Sequence, residues 1–401
     1  MIRSFKIFIL LVLLMTVTFA AAYAEPQITG QSGILIDTRG KILWSKNPHE
    51  KMYPASTTKI LTALLVLENG NLDDTTVTSF NARNQIGSSL YLDEGETINI
   101  RDLLYGLMLR SGNDAAVVAA EYVSGSVEEF ALLMNKRAVE LGALNSNFVN
   151  PNGLHHEDHY STAYDLAMIA RYAMTIPEFR EIVQTTTTTI PWPSEQWDRR
   201  LDNGNRLLTR YQGATGIKTG YTPNAGGTFV GSASRDGFEL IAVTLQSSHT
   251  FDDAIAILDY GFDNFEQHLI FSDNQSIAKA AVRFGDRVQV NNIGEVYFTE
   301  KKDVSLDIKV SPNISDLEAP VKAGVMAGNV DISVNGESIA SLPLMTVTET
   351  ERKITTFWWF YAIVLVTIYI PIRLSIFLRR RRKKRRMIRK RSYYRQTWSR
   401  Y

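Results

Sequence analysis

An apolar segment near the C-terminus, residues 357–378, most constrains what this chain can fold into. Its 22 residues carry one charge, Arg373, close to their end. About 20 helical residues are enough to cross a hydrocarbon core of roughly 30 Å. Trp358, Trp359 and Tyr361 suit one membrane interface, and the long side chain of Arg373 can extend towards the other. The segment is therefore predicted to be a transmembrane helix, and the globular fold must be built from the residues before it.

The tail that follows, residues 379–401, holds 13 Lys and Arg and no acidic residue. The rest of the chain therefore has 30 basic and 42 acidic residues, although the formal net charge of the whole is only +1. Positive residues beside a membrane span mark its cytoplasmic side. We expect a basic cytoplasmic tail and an extracytoplasmic body. A nucleic-acid-binding tail is the alternative, but the neighbouring span already accounts for the charge.

The N-terminus has the three parts of a secretory signal. Arg3 and Lys6 give it a positive start, residues 7–17 are apolar, and Ala22 and Ala24 form a small-x-small cleavage site. Residues 1–24 are therefore predicted to be a signal peptide, with an uncleaved anchor as the alternative.

The chain has 401 residues and no cysteine. The length is sufficient for two domains with additional segments. The lack of cysteine excludes disulfides, a thiolate nucleophile and cysteine-ligated zinc. It does not exclude an extracytoplasmic location, because a chain of this size can bury a core without disulfides.

Residues 54–70 are predicted to form a buried helix, since apolar residues recur at helical spacing at 60, 63, 64 and 67. This helix carries two residues that could react together. Ser56 and Lys59 are three residues apart, on one face of the first turn. A serine hydroxyl is a weak nucleophile unless a neighbour accepts its proton. A lysine can do so only as a neutral amine, which burial and the positive end of the helix favour. For an isolated pair, a capping serine and a solvated lysine would be the simpler interpretation.

The remaining pattern predicts a mixed catalytic region followed by an all-β module. Short Val/Ile-rich alternations with turns fill residues 270–347, which is typical of strands. Before them, helices are predicted at 101–110, 114–123, 127–141, 161–174 and 252–265, a hairpin at 33–44, and strands at 216–220, 227–233 and 239–245.

Three motifs stand in order along the chain: Ser56-Thr-Thr-Lys59, Ser111-Gly-Asn113 and Lys218-Thr-Gly220. Each is common alone, but the set on helix, loop and strand is specific to β-lactamases and penicillin-binding proteins. The residues at 150–154, 159–163 and 216–222 sharpen the match. The chain resembles the low-molecular-mass penicillin-binding proteins, the serine D-alanyl-D-alanine carboxypeptidases of peptidoglycan maturation.

The resemblance implies an α/β (α+β) fold of the penicillin-binding and β-lactamase type. We expect an antiparallel sheet flanked by helices, a helical subdomain inserted between the second and third strands, a small all-β C-terminal domain and one transmembrane helix. The domains expected are a signal peptide (1–24), a catalytic domain (25–268), a β-rich domain (269–347), a linker (348–356), the transmembrane helix (357–378) and the basic tail (379–401).

The resemblance also implies residue roles. Ser56 would be the acylated nucleophile and Lys59 its general base. Ser111 and Asn113 would relay protons and hold the substrate amide. The terminal carboxylate of the substrate would bind Lys218 and Thr219 at a strand edge that Gly220 keeps open, and the oxyanion would be held by the backbone N–H groups of Ser56 and Tyr221. Lys218 close to Lys59 would lower the pKa of Lys59 by repulsion between like charges.

The expected function is removal of the terminal D-alanine from peptidoglycan pentapeptide stems, with covalent inhibition by β-lactams. No cofactor, metal or nucleic acid is expected, and the oligomeric state is left open. A β-lactamase and a non-catalytic peptidoglycan-binding scaffold remain as alternatives. Fast turnover of penicillin would identify a β-lactamase. A non-catalytic scaffold would not require all three of Ser56, Lys59 and Lys218.

Two features bear on those alternatives. A class A β-lactamase needs a glutamate to activate water for deacylation. Glu140 approaches the sequence pattern of that loop but is displaced by one residue, and it is predicted to be a surface acid. The histidine-rich stretch at 155–159 is one residue short of a zinc motif and is predicted to be a loop.

Overall fold

The computed structural model describes residues 25–397. The predicted signal peptide at 1–24 and the last tail residues at 398–401 lie outside the described residues. The described chain forms two compact units. The first contains the residues up to 267 together with 299–304, and the second contains 268–298 and the residues from 305 onwards.

A five-stranded antiparallel sheet lies at the centre of the first unit. The strands of this unit are β1 Ser32–Asp37, β2 Ile42–Lys46, β3 Thr75–Val77, β4 Thr97–Asn99, β5 Thr187–Ile190, β6 Arg199–Asp202, β7 Ala214–Thr222, β8 Gly226–Arg235 and β9 Phe238–Ser247. The central sheet has the order β2-β1-β9-β8-β7, so β7 is an edge strand. The short strands pair separately, β3 with β4 and β5 with β6.

Helices cover both faces of this sheet. They are α1 Lys59–Asn69, α2 Phe80–Arg83, α3 Ile100–Leu109, α4 Asn113–Ser124, α5 Val127–Glu140, α6 Ala163–Ala173, α7 Pro177–Gln184, α8 Leu207–Arg210 and α9 Thr250–Asn264. Successive side chains of β1 point to opposite faces of the sheet and therefore belong to two different apolar clusters. Ile34 and Ile36 join the apolar cluster of α1 and α6, whereas Leu35 joins the cluster of α9. The predicted insertion of helices between the second and third strands of the sheet is confirmed.

One predicted helix differs at its start. Residues Ala55–Thr58 form a 3₁₀ turn, and α1 begins only at Lys59. Ala55 has a φ of +49°, outside the right-handed helical region, so the α-helix cannot extend back through it. The prediction that Ser56 lies in the first turn of an α-helix is wrong in this respect. The 3₁₀ turn nevertheless keeps Ser56 three residues ahead of Lys59.

The second unit is an all-β domain followed by a long helix. The later strands are β10 Phe265–Phe271, β11 Ser276–Ala280, β12 Val282–Arg283, β13 Val288–Asn292, β14 Val296–Lys301, β15 Ile308–Ile314, β16 Leu317–Glu318, β17 Met326–Val334 and β18 Glu337–Thr346. A sheet of order β11-β13-β18-β17-β15 buries a Val/Ile-rich core that includes Val288, Val330 and Ile332. The predicted β module is confirmed.

The C-terminal helix α10, Trp358–Thr397, follows a 3₁₀ turn at Ile354–Thr356. It is long and apolar enough to cross a membrane, with a mean hydropathy of 2.0 in its apolar part. It is therefore a candidate membrane anchor. The helix continues past Pro371 without a break as far as Thr397.

Candidate active site

The 3₁₀ turn places Ser56 at the surface of a cleft of about 850 Å³. The turn is held from behind by Gly153, whose φ is +81° and whose Cα packs against the backbone carbonyl of Ala55. Any side chain at position 153 would collide with that carbonyl. The close approach fixes the strained Ala55 and thereby the position of the serine that follows it.

Lys59 is completely buried beneath Ser56. Its Nζ lies 3.1 Å from Ser56 Oγ, 2.8 Å from Asn113 Oδ1 and 2.6 Å from the backbone carbonyl oxygen of Asn152. Burial lowers the pKa of Lys59 well below its ordinary value, and the charge of Lys218 lowers it further. The carboxylate of Asp114 acts in the opposite direction. The net effect of these groups is a lowered pKa for Lys59.

The second motif lies between α3 and α4. Ser111, with a φ of +62°, lines the cleft, and Asn113 is the first residue of α4. The Asn113 Nδ2 group donates to the Ile86 carbonyl at 2.6 Å, which turns its Oδ1 towards Lys59. Asn113 is also held through its backbone N–H, which donates to the Ser88 carbonyl at 2.7 Å. The loop at residues 86–88 thus orients the amide, a contribution that the sequence analysis missed.

The structure explains why glycine stands in the middle of this motif. A Cβ atom on Gly112 would lie 2.8 Å from Asp114 Oδ1 and 3.2 Å from the Ala115 Cβ. Asp114 is buried and accepts from Ser89 Oγ at 2.6 Å and from the backbone N–H of Leu90. A side chain at position 112 would therefore crowd the carboxylate that fastens this loop.

The third motif lies on the edge strand β7. Thr219, Gly220 and Tyr221 line the cleft. Lys218 is buried, and its Nζ donates to the backbone carbonyl of Thr219 at 3.0 Å. Burial lowers the pKa of Lys218 to about 7. Thr219 therefore borders the cleft, whereas the buried Lys218 is not among the residues that line it.

Arg206 is a cleft residue that was not predicted from the sequence. It is exposed, precedes α8 and lines the same cleft as Thr219. Its position directly after Asn203-Gly204-Asn205, a turn-forming run, was the available signal. Arg206 is thus an accessible cation on the cleft wall.

The two other candidate features lie outside the cleft. Glu140 ends α5 and pairs with Arg137 at 3.0 Å, so the prediction of a surface acid is confirmed. His159 is buried, and its Nδ1 accepts from the Val149 N–H at 3.2 Å while its Nε2 lies 2.9 Å from Thr58 Oγ1. Burial lowers the pKa of His159 to about 3. Among the described residues no cluster of three or more metal-ligating side chains is found.

Comparison with known proteins agrees with this geometry. Residues 19–249 match the family model of D-alanyl-D-alanine carboxypeptidases of peptidase family S11, and residues 265–352 match the C-terminal domain of penicillin-binding protein 5. The D-alanyl-D-alanine carboxypeptidase DacF of Bacillus subtilis is 35% identical over 84% of this chain and 92% of its own length. DacC of Escherichia coli is 31% identical over 82% of this chain and 86% of its own.

Solved structures show the same relationship. Penicillin-binding protein 5 of Haemophilus influenzae is similar with a TM-score of 0.67 and 30% identity, covering 82% of this chain and 99% of that one. The Streptomyces K15 DD-transpeptidase covers 60% of this chain and 99% of its own, with a TM-score of 0.57 and 33% identity. The resemblance seen in the three motifs is confirmed, and the chain belongs to the serine D-alanyl-D-alanine carboxypeptidase family of low-molecular-mass penicillin-binding proteins.

Proposed function

We propose that this carboxypeptidase removes the terminal D-alanine of peptidoglycan stem peptides through an acyl-enzyme on Ser56. The observation that carries the proposal is the contact between a fully buried amine and a hydroxyl at the cleft surface, Lys59 Nζ to Ser56 Oγ at 3.1 Å. The residues assigned to the reaction need no cofactor.

The partners of Lys59 support its role as a general base. A neutral amine has two N–H bonds and one lone pair. The Oδ1 of Asn113 and the carbonyl of Asn152 can only accept hydrogen bonds, so they take both N–H bonds. The lone pair is then left for the third partner, the Ser56 hydroxyl. In this arrangement the amine accepts the Ser56 proton as the reaction begins.

In the acylation step, Ser56 Oγ bonds to the carbonyl carbon of the penultimate D-alanine while its proton passes to Lys59 Nζ. The bond to the terminal D-alanine nitrogen then breaks, and that nitrogen takes a proton from Lys59 through the hydroxyl of Ser111. Water attacks the acyl carbonyl, transfers a proton back by the same route and frees Ser56. A β-lactam would acylate Ser56 by opening its ring, so its leaving nitrogen would stay attached to the acyl group.

The oxyanion formed in both steps would bind the backbone N–H groups of Ser56 and Tyr221. Support comes from the contact between β7 and the 3₁₀ turn at Ala55–Thr58, where Gly220 lies against the Ser56 nitrogen. Donors held in place before the reaction cost no reorganisation, and loss of one typically lowers the rate by about 10²–10³.

We further propose that the substrate carboxylate contacts Thr219 Oγ1 and the guanidinium of Arg206. From the sequence, this role was expected of Lys218 and Thr219. Lys218 is enclosed and bonded to the Thr219 carbonyl, and at pH 7 its lowered pKa leaves it only partly charged. Arg206 is always charged and borders the cleft, so it supplies the fixed cation that a free carboxylate requires.

For the location, we propose that α10 spans the cell membrane, with residues 25–356 outside and the basic tail in the cytoplasm. The support is the length and apolarity of the helix together with the basic residues that follow it. The signal peptide at 1–24 belongs to the same proposal.

The test is release of D-alanine from a Lys-D-Ala-D-Ala peptide by the full chain. Ser56→Ala should abolish both D-alanine release and covalent labelling by a fluorescent penicillin. Ser126→Ala, which removes only the cap of α5, should leave both unchanged. Retention of D-alanine release by Ser56→Ala would contradict the proposed nucleophile, and rapid loss of the penicillin label from the parent protein would point to a β-lactamase.

A further inference from the structure

The chain enters helix α10 directly from the β domain. The backbone groups of Val321 and Thr350 exchange two hydrogen bonds of 2.9 Å. Thr350 Oγ1 accepts from the Asp286 N–H at 2.8 Å, and the Lys353 N–H donates to the Phe284 carbonyl at 2.8 Å. The segment at 348–356, predicted as a linker, is therefore tied to the loop that follows β12, and little free chain remains before the helix.

Two guanidinium groups stack on one aromatic ring at this point. The Cζ of Arg352 lies 4.4 Å, and that of Arg283 4.7 Å, from the ring centroid of Phe284. Arg352 also lies 4.7 Å from the ring of Phe357, the residue immediately before α10. We call Arg283, Phe284, Arg352 and Phe357 the arginine–aromatic base.

The charges of this base are available to a ligand. Lys353 is neutralised by Asp286 at 2.6 Å. Within residues 25–397, Arg283 and Arg352 form no ion pair with a carboxylate, although Glu318 is the β16 partner of Arg283. Arg352 uses its Nε to donate to Thr356 Oγ1 at 3.3 Å. A guanidinium stacked on a ring keeps its remaining N–H edge free, in a geometry that suits phosphate.

Phe284 occupies an unusual backbone conformation. Its φ is +66°, a region that few non-glycine residues and very few aromatic ones adopt. Two arginines stack on its ring, and its carbonyl accepts from Lys353, so the surrounding contacts hold it there. Residues kept in such conformations cluster at sites of function.

We propose that the arginine–aromatic base docks on the phospholipid headgroups of the leaflet that faces the β domain, with Arg283 and Arg352 donating to lipid phosphates. This proposal rests on the membrane orientation proposed above. The base adjoins the first residue of the apolar helix, and Trp358 is 81% exposed there. Tryptophan and arginine beside a span are suited to the headgroup region.

The test uses the full chain in liposomes of three parts phosphatidylcholine to one part phosphatidylglycerol. Because the chain has no cysteine, one introduced cysteine carries a single fluorophore. Ala281→Cys reports on the base. Ser338→Cys, near the start of β18 and about 27 Å along that strand from Thr346, reports on the far end of the domain. Lipids with a nitroxide on the headgroup quench a nearby fluorophore.

We expect quenching at position 281 to exceed that at 338 by about threefold or more. Arg283→Gln with Arg352→Gln should reduce quenching at 281 to the level at 338, Arg352→Lys should have an intermediate effect, and Lys309→Gln, an exposed cation of the same domain, should have none. D-alanine release from a soluble peptide should stay unchanged in all of them, which shows that the catalytic unit is intact, and the unfolding transition of the β domain in urea should match that of the parent, which shows that the substituted unit is folded.

Equal quenching at 281 and 338 in the parent, or a double variant that behaves like the parent, would overturn the docking proposal alone. A separate reporter, Ile363→Cys with acyl-chain nitroxides, tests the span. If position 363 is not quenched, the membrane orientation fails, and the docking proposal fails with it.

Discussion

Gly220 lies directly against the backbone nitrogen of Ser56. A Cβ atom at position 220 would collide with Thr228 Oγ1 and would be 2.8 Å from that nitrogen and 3.1 Å from the nitrogen of Thr57. The edge strand β7 can therefore approach the 3₁₀ turn that carries Ser56 only because residue 220 has no side chain. The third motif needs its glycine for this contact, which brings the backbone of β7 against the turn that carries Ser56.

Gly220→Ala should lower kcat/KM for D-alanine release by about 10²–10³, because the added methyl group separates the two proposed oxyanion donors. The matched control is Gly204→Ala, a cleft glycine whose added Cβ would meet no atom closer than 3.8 Å. We expect the control to change kcat/KM by less than about fivefold. Steady-state kinetics with a D-Ala-D-Ala peptide measure both, and equal losses in the two variants would count against the proposed contact.

Removing the charge of Lys218 should move the pH dependence of acylation. As the proposed general base, Lys59 must be neutral to accept a proton, so the acylation rate should rise with pH through the pKa of Lys59. The charge of Lys218 lowers that pKa, so Lys218→Met should shift the rise to higher pH, whereas Lys218→Arg should keep it close to that of the parent. The measurement is the second-order rate of penicillin acylation against pH. An unshifted profile in Lys218→Met would show that the two lysines are not coupled.

Buried His159 should make the protein lose stability in acid. Its pKa is about 3 in the folded state, against an ordinary value of 6.5, so the unfolded chain binds a proton that the folded chain cannot. The stability it contributes is complete above pH 6.5 and is lost as the pH falls towards 3, by about 4 to 5 kcal/mol in full.

Urea unfolding at several pH values between 4 and 7 gives the free energy of unfolding as a function of pH. That free energy should fall less steeply with decreasing pH in His159→Gln than in the parent. His49→Gln, at an exposed position, should show the same pH dependence of the free energy of unfolding as the parent. Identical slopes in the parent and His159→Gln would mean that other groups cause the acid sensitivity.

Glu96→Gln should destabilise the first unit strongly. Glu96 and Arg199 pair at 2.6 Å with side chains that are only 4% and 3% exposed, and Arg199 also stacks on Trp192 at 4.8 Å. Loss of the carboxylate charge leaves a buried guanidinium without its counter-charge, which typically costs about 3–5 kcal/mol. Arg200→Gln breaks the neighbouring exposed pair with Asp202 and should cost less than about 1 kcal/mol. Urea unfolding measures the free energy of unfolding of both variants. Similar losses of stability in the two would contradict the prediction that the buried pair matters more than the exposed one.

Local pattern was sufficient for most of the architecture. Helical periodicity predicted α3 to α6 and α9 to within about two residues of their observed bounds, and the Val/Ile alternation predicted the β domain. The helix α7 was missed, although Pro177 stands at its first turn. The predicted start of the helix that carries Lys59 was wrong, because Ala55 has a positive φ and packs against Gly153, a residue almost 100 positions away.

The sequence by itself determined the three motifs, their order and the apolar segment at the C-terminus, because each depends only on residues close together in the chain. Only the tertiary structure decided that Lys59 is enclosed by Asn113 and Asn152, that Lys218 is buried, and that Arg206 borders the cleft. Those relationships depend on strand order and on contacts between distant segments. Burial, which lowers the pKa of Lys59, exists only when those segments have packed together.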